Sequence, residues 1–213
     1  MDLTDNIKNL DDLNAYKTRV QYLKGETIFK QGAFAPYVMY VVEGLVKVYL
    51  QTGIDKNMSI SVASEGEFLA FSSVFGEPIH TYSAQAISNT QICMIEKESL
   101  KKILLENPEF ALKITSQNYQ NERHLFEVIK NISYKQMRGK LASALLYLSQ
   151  EEFLKKNIFE FLTRQDIADF ASISAESAIK FLKEFEKENI ITLNGKNIII
   201  DDAAQLLNIS KNG

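Results

Sequence analysis

The chain has 213 residues, 46% of them hydrophobic and 24% charged, with a formal net charge of −3. That length and mixture suit one large or two modest globular domains. No run of about 18 apolar residues occurs, so no membrane-spanning helix is expected. The opening Met1-Asp2-Leu3-Thr4-Asp5 lacks the basic patch and apolar core of a signal peptide. The single cysteine, Cys93, excludes an internal disulfide framework, a Cys-only zinc site and an iron–sulfur cluster within one chain. Together these features predict a cytoplasmic protein. Taken alone, the negative charge speaks against a nucleic-acid binder, which is usually basic.

Along the chain, a short helix is expected around Asp5–Tyr16. Turn residues then recur: Gly25, Gly32, Pro36, Gly44, Gly53, Gly66, Gly76 and Pro78 punctuate residues 20–80. Between them, Tyr37–Val42 and Leu45–Leu50 read as strands flanking a tight Glu43-Gly44 turn. In the second strand Val46, Val48 and Leu50 share one face, and Lys47, Tyr49 and Gln51 the other. Met58, Ile60 and Val62 alternate with polar residues, and Ile92–Ile95 closes the set. Several short strands at such spacing predict an antiparallel barrel or jelly roll. A helix over Ser99–Glu106 follows.

After Pro108 there is no proline, and glycine remains only at 139, 195 and 213, so the rest is expected to be mainly helical. Ala111, Ile114, Asn118, Asn121, Leu125, Val128 and Ile132 recur at alternating spacings of three and four, a heptad seam with two asparagines in it. Two readings fit: a helix packed on its own β domain, or a parallel dimer helix whose polar layers set register or face a ligand. The expected divisions are a β domain over 1–107, the long helix over 108–133 and a third domain over 134–213.

That third domain opens on an amphipathic helix, Arg138–Leu148, with Leu141, Leu145 and Leu148 inward. Thr163-Arg164-Gln165-Asp166 reads as a capping box, with Ile167, Ala168 and Ala171 as the buried face behind it. Ser172-Ile173-Ser174 is a short turn, and Ser174 is placed to cap the next helix, with Glu176 in its first turn. There Ala178, Phe181, Leu182 and Phe185 fall at helical spacing on one side, with Ala175, Glu176, Ile179, Lys180 and Lys183 opposite. Two short helices joined by a three-residue turn form a helix-turn-helix. The hairpin of Ile190–Leu193 and Asn197–Ile200, joined through Asn194-Gly195-Lys196, would be its wing. An αα-hairpin with a β-hairpin and no DNA role is the other reading.

On these residues the chain resembles the CRP/FNR family of bacterial transcription regulators. The segments that carry the likeness are Lys24–Gly32, Tyr40–Val48, Glu65–Leu69, Tyr82–Ala86, Lys140–Leu148 and Leu162–Leu182, in the family's order. The resemblance implies an α+β protein: an N-terminal antiparallel β-roll (jelly roll), a long dimerisation helix and a C-terminal winged helix-turn-helix. It also implies a homodimer on a palindromic double-stranded DNA operator, half-sites about 34 Å apart, with RNA polymerase as a further partner. The matching DNA-facing positions are Ser174, Ala175, Glu176, Ser177, Ile179 and Lys180. Thr163, Arg164 and Gln165 are phosphate-contact candidates at a helix start. Two departures stand out: many members have arginine where this chain has Ala175, and glycine where it has Ser172.

In cyclic-nucleotide-binding members, a glycine–glutamate pair and an arginine hold the ribose and phosphate. Here they fall on Ala70-Phe71 and Tyr82, followed by the retained Ser83. Losing the arginine removes the phosphate's charged partner, and losing the glutamate removes the ribose anchor. No tight cAMP binding is therefore expected, and no cofactor. The cysteines of the oxygen-sensing branch are missing from the N-terminus, which speaks against an iron–sulfur sensor. His80 and His124 read as surface groups rather than haem ligands, and Cys93 as a buried small hydrophobe. An unidentified apolar or weakly polar effector remains a candidate for a pocket near Phe68, Ala70, Phe71, Tyr82, Ser83, Asn118 and Asn121. So does a pocket filled by its own side chains.

Three classes of function compete: a DNA-binding regulator, a ligand sensor whose winged helix binds protein, and an enzyme. Phosphate loops, HExxH and a nucleophile–base pair are absent from the sequence, so no enzyme is expected. The charge objection also weakens on inspection. Residues 134–213 hold 11 basic and 11 acidic residues, so the acidity belongs to the sensor and helix segments.

Overall fold

The computed structural model describes residues 17–54 and 56–213. The helix expected around Asp5–Tyr16 lies outside the described residues. Eight strands come first: β1 (Lys17–Tyr22), β2 (Thr27–Phe29), β3 (Tyr37–Glu43), β4 (Leu45–Gly53), β5 (Lys56–Ser64), β6 (Phe68–Leu69), β7 (Ser83–Ala86) and β8 (Thr90–Glu96). They form two four-stranded sheets in the orders β1-β8-β3-β6 and β2-β7-β4-β5, an antiparallel β-roll. Helices α1 (Lys97–Glu106), α2 (Pro108–Tyr134), α3 (Met137–Leu148), α4 (Glu151–Leu154), α5 (Ile158–Phe161), α6 (Arg164–Ala171) and α7 (Ala175–Lys187) follow. The hairpin β9 (Ile191–Asn194) and β10 (Asn197–Ile200) and helix α8 (Ala203–Asn212) complete the chain. This is an α+β protein with an antiparallel β domain, a long helix and a helix-turn-helix.

The contacts divide the described residues into two compact units, 17–54 with 61–123, and 56–60 with 124–213. In the first, register brings like residues together: Val38 faces Ile95 and Tyr40 faces Cys93 across β3 and β8. These four join Leu100, Phe110 and Ile114 in one buried cluster. Cys93 is thus a core residue, 7% exposed. The alternation read in β4 does not leave a polar face: Lys47 is buried, its amine 5.5 Å from the centre of the Tyr49 ring. A strand covered on both sides buries its stem methylenes wherever they point.

His80 is not a surface group. It is buried and stacked on Phe29, ring centres 3.9 Å apart, and its Nδ1 has no hydrogen-bond partner among the described residues. Burial and then the charge of Lys97 push its pKa below the usual histidine value. The folded state therefore favours neutral His80, and the unfolded chain binds the proton more readily. Its contribution is complete above the ordinary value of about 6.5 and is lost as pH falls below it. The expected result is a β-domain melting temperature that drops from pH 7.5 to pH 5.5. His80→Asn should flatten that slope, and an unchanged slope in thermal melts would reject the assignment.

In the second unit, Leu141, Leu145 and Leu148 of α3 are wholly buried, as are Ala178, Leu182 and Phe185 of α7 to within 1%. Phe181, expected in the same core, is only half-buried. It sits at the edge of the stripe, under Lys180, whose amine is 5.5 Å from its ring centre. The hairpin also differs from expectation in its turn. Asn194 pairs with Asn197, so Gly195 and Lys196 alone make the loop. Positive φ occurs at Gly195 (59°) but not at Asn194 or Lys196. That is the φ pattern of a type II′ turn, in which glycine takes the first central place.

The seam on α2 divides between different surroundings. Ile114 is buried in its own β domain with Phe110 beside it. Val128 and Ile132 line a small cavity in the second unit with Ile60, Tyr147 and Phe170. Ala111 and Asn118 are half-buried, and Asn121 and Leu125 are exposed. The apolar residues left open lie mainly one position along: Leu112, Tyr119, Phe126 and Ile129, with Leu125 at their edge. Periodicity reports that a stripe is buried; it is silent on whether its own chain or another covers it.

Candidate functional site

Helix α6 starts at a complete capping box. Asp166 N–H donates to Thr163 Oγ1 at 3.0 Å, and Thr163 N–H donates to Asp166 Oδ2 at 2.8 Å. The helix ends at Ser172, whose φ of 52° and ψ of 46° are left-handed. Ile173 N–H closes the turn on Ala168 O at 3.1 Å, the six-to-one bond of a Schellman end. Serine therefore holds the conformation that glycine usually supplies, at a cost of about 1 kcal/mol. Ser174 then caps α7, accepting from Ser177 N–H at 3.2 Å. The capped ends set the turn that joins α6 to α7.

On α7 the two sides part clearly. Ala178, Leu182 and Phe185 are buried, while Glu176, Ile179, Lys180 and Lys183 are exposed and Ala175 and Ser177 are half-buried. Ser174 Oγ lies 3.1 Å from Ser177 Oγ. Hydrogen bonds from its own backbone N–H, and then from the Ser174 hydroxyl, hold the Glu176 carboxyl below its ordinary pKa. The cap and first two turns thus present a carboxylate, the Ser174 hydroxyl, an apolar side chain and an ammonium to solvent, with the Ser177 hydroxyl half-buried beside them. Such a set offers an acceptor for cytosine N4, a contact for a thymine methyl, and a donor for guanine or phosphate.

The three phosphate-contact candidates sit differently. The Thr163 side chain is engaged in the capping box. Arg164 donates to the carbonyls of Gly195 (2.8 Å) and Lys196 (3.2 Å), so it secures the wing turn. Gln165 donates to Asp169 Oδ1 at 2.7 Å. All three polar heads are occupied within the winged helix, and their clearest structural effect is to position it.

Arg138 was not among the sequence candidates. From α3 it reaches α7, pairing with Glu188 and, at 3.9 Å, with Glu184, while its guanidinium stacks 5.1 Å from the Phe185 ring centre. Glu184 also faces Lys180 at 3.9 Å. The available signal was the acidic pair four apart, Glu184 one turn beyond Lys180 and Glu188 just past the end of α7.

In the β domain, the candidate pocket residues Ala70, Phe71, Tyr82 and Ser83 are tied into contacts within the domain. Ala70 keeps a left-handed backbone (φ 57°), and its N–H donates to the Tyr82 hydroxyl at 2.7 Å. Burial raises the Tyr82 phenol above its ordinary pKa, against the opposing effect of that hydrogen bond, so it stays protonated. Phe71 packs with Phe68 (6.0 Å) and Phe75 (5.8 Å), and Phe68 packs with Tyr40 (5.0 Å) and Phe110 (6.5 Å). Ser83 is buried and accepts from Gln31 N–H at 2.9 Å. Phe110 and Ile114 of α2 belong to the same buried cluster, against which Phe68 and Phe71 pack. His124 is half-buried rather than a free surface group: its Nε2 lies 2.8 Å from Ile60 O, and its ring stacks on Tyr147 at 4.3 Å.

Comparison with known proteins agrees with this architecture. Residues 19–107 match the cyclic nucleotide-binding domain, and residues 139–209 match the Crp-like helix-turn-helix domain. The cAMP-activated global transcriptional regulator CRP of Salmonella typhimurium is 24% identical over 184 residues, 84% of this chain and 88% of that protein. A CRP-like cAMP-activated global transcriptional regulator of Mycobacterium tuberculosis is 22% identical over 191 residues, 88% of this chain and 85% of that protein. Among solved structures, FixK2 from Bradyrhizobium japonicum shares the fold at TM-score 0.76, with 22% identity, over 91% of this chain and 96% of that one. A CooA mutant from Carboxydothermus hydrogenoformans does so at TM-score 0.77, with 18% identity, over 99% and 96%. A β-roll followed by a long helix and a capped helix-turn-helix with a wing, matched by both domain families in that order, makes this chain a member of the CRP/FNR family of transcription regulators.

Proposed function

We propose that the protein is a homodimer that reads a palindromic operator in double-stranded DNA with α7, and that it does so without cAMP. The observation that carries the reading is the division of α7: an apolar side locked into the core, and Glu176, Ile179 and Lys180 open to solvent. Dimerisation is supported by the exposed stripe Leu112, Tyr119, Phe126 and Ile129 on α2, with Leu125 beside it. Apolar side chains at such spacing on an open helix are best covered by a second copy. Its place of action is the cytoplasm, with RNA polymerase as a partner, and no enzymatic step is involved.

A mobility-shift titration on the protein's own upstream DNA tests this, with the dimer verified by sedimentation. Lys180→Ala is expected to weaken binding by about 1–3 kcal/mol and to relax base preference at one position of each half-site. Failure of the verified dimer to retard any DNA at low salt would sink the reading. Because the DNA-binding unit is neutral overall, affinity should rest more on placed contacts than on bulk charge.

Two features support independence from cAMP. The Ala70 N–H that would meet a phosphate already donates to Tyr82, and Phe71 replaces the ribose-binding carboxylate with a ring packed among others. No iron–sulfur cluster and no haem are part of this proposal, and the aromatic filling around Phe68 supports DNA binding without an effector. Calorimetry with cAMP should show no saturable heat at micromolar ligand; a micromolar Kd would overturn this part.

A further inference from the structure

Beside α7 lies an open groove of about 590 Å³, lined by Lys135, Gln136, Met137, Arg138, Lys140, Lys180, Phe181 and Glu184. Four of these carry positive charge and one is acidic. Glu184 is shared between Arg138 and Lys180 at 3.9 Å each, and Arg138 also pairs with Glu188. Lys135 differs from the other three in what holds it. Its Nζ donates to Ser143 Oγ at 2.7 Å and to Ser210 Oγ at 3.0 Å. Ser143 Oγ donates to Gly139 O at 2.8 Å, so the 2.8 Å contact between the two hydroxyls runs from Ser210 to Ser143. Both hydroxyls therefore act as acceptors towards the amine. Two of its valences are fixed by neutral partners, and among the described residues no carboxylate forms an ion pair with it.

An amine held this way, at the edge of a cationic groove, combines two requirements of acyl transfer: a positioned nucleophile and a resting place for an anionic leaving group. We propose that Lys135 is an acylation site, modified by a small acyl phosphate whose phosphate is held by Lys140, Arg138 and Lys180. In the step, the Nζ lone pair attacks the acyl carbon and the bond from that carbon to the phosphate oxygen breaks. Inorganic phosphate leaves with the electron pair, and the surplus proton passes from nitrogen to phosphate or water. The products are N-acyl-lysine and phosphate, with no other reactant. Burial, and then Lys130, lower the Lys135 pKa from its ordinary value, with Glu127 opposing, which enlarges the reactive amine fraction near neutral pH. The product amide is uncharged, so the groove loses one of its four cations.

The experiment uses the full chain, without DNA, so its outcome is independent of the operator reading. Protein is incubated with acetyl phosphate between pH 7 and 10, and acetylation of each lysine is followed by mass spectrometry. Lys102 and Lys155 serve as references, both exposed and each paired with a glutamate four residues away. Lys135 should react at least tenfold faster than either at pH 7.5, with the gap narrowing towards pH 10. Lys140→Gln, which leaves the serine contacts of Lys135 in place, should cut its rate several-fold and leave Lys155 unchanged. Millimolar inorganic phosphate should do the same. A Lys135 rate at or below the reference lysines across the pH range would overturn the proposal. An equal preference with a neutral acetylating reagent would overturn the groove's role.

Discussion

Phe185→Ala should destabilise the helix-turn-helix unit by about 3–5 kcal/mol, the range for removing a buried aromatic ring. Phe185 is fully buried on the inner side of α7. Arg138 covers its ring from α3, so the side chain joins two helices rather than filling one gap. Its loss leaves a cavity bordered by α7 and strips the Arg138 guanidinium of its stacking partner. DNA binding should fail with the fold, although Phe185 faces away from the proposed DNA surface. Urea denaturation followed by helical ellipticity measures the effect. Phe185→Leu, which keeps most of the volume, should cost less than about 1.5 kcal/mol. A loss below 1 kcal/mol for the alanine variant would show that the core here re-forms without the ring.

Gly44→Ala should be comparably harmful to the β domain. At φ 100°, Gly44 occupies backbone space that other residues rarely adopt. An added Cβ would lie 2.5 Å from Thr90 Oγ1, 2.6 Å from Asn89 O and 2.8 Å from Thr90 Cα. These neighbours have little freedom to move. Thr90 is 1% exposed, its hydroxyl donates to Ser88 O at 3.0 Å, and Leu45 N–H donates to Ser88 Oγ at 2.9 Å. Strained φ and overpacking, each worth about 1–3 kcal/mol, act together, and a loss of roughly 3 kcal/mol is expected. Thermal unfolding of the β domain by calorimetry is the check. Gly195 offers the internal control: its φ is also positive, but nothing lies within 4 Å of an added Cβ. Gly195→Ala should therefore cost less than Gly44→Ala, and equal damage at both sites would show that φ, not the contact with Asn89 and Thr90, sets the cost.

The helix-turn-helix was legible because its information is local. Caps, turn chemistry and helical spacing act over four or five residues, so Thr163, Asp166 and Ser174 announce their bonds in the chain itself. The left-handed Ser172 was readable as the place where glycine usually stands. The same reasoning could not tell which polar heads remain free. Thr163, Arg164 and Gln165 all sit at a helix start, yet Arg164 bonds to the wing about thirty residues on, a contact between elements far apart in sequence.

By itself, the sequence determined the change from an antiparallel β part to a helical part, the strands around Gly44, the long helix after Pro108 and the capped turn of the helix-turn-helix; it did not announce the short helices α4 and α5 or the terminal α8. Tertiary structure alone decided what each surface meets. It put Ile114 of the heptad seam into the β-domain core and left the neighbouring stripe of Leu112, Tyr119, Phe126 and Ile129 open. It buried His80 and placed the Tyr82 hydroxyl on the Ala70 amide. It also gathered Lys135, Ser143 and Ser210 from three separate segments. The physical reason is common to all of these: helical and strand periods record which side of an element avoids water, whereas the identity of the covering group depends on contacts distant in the chain.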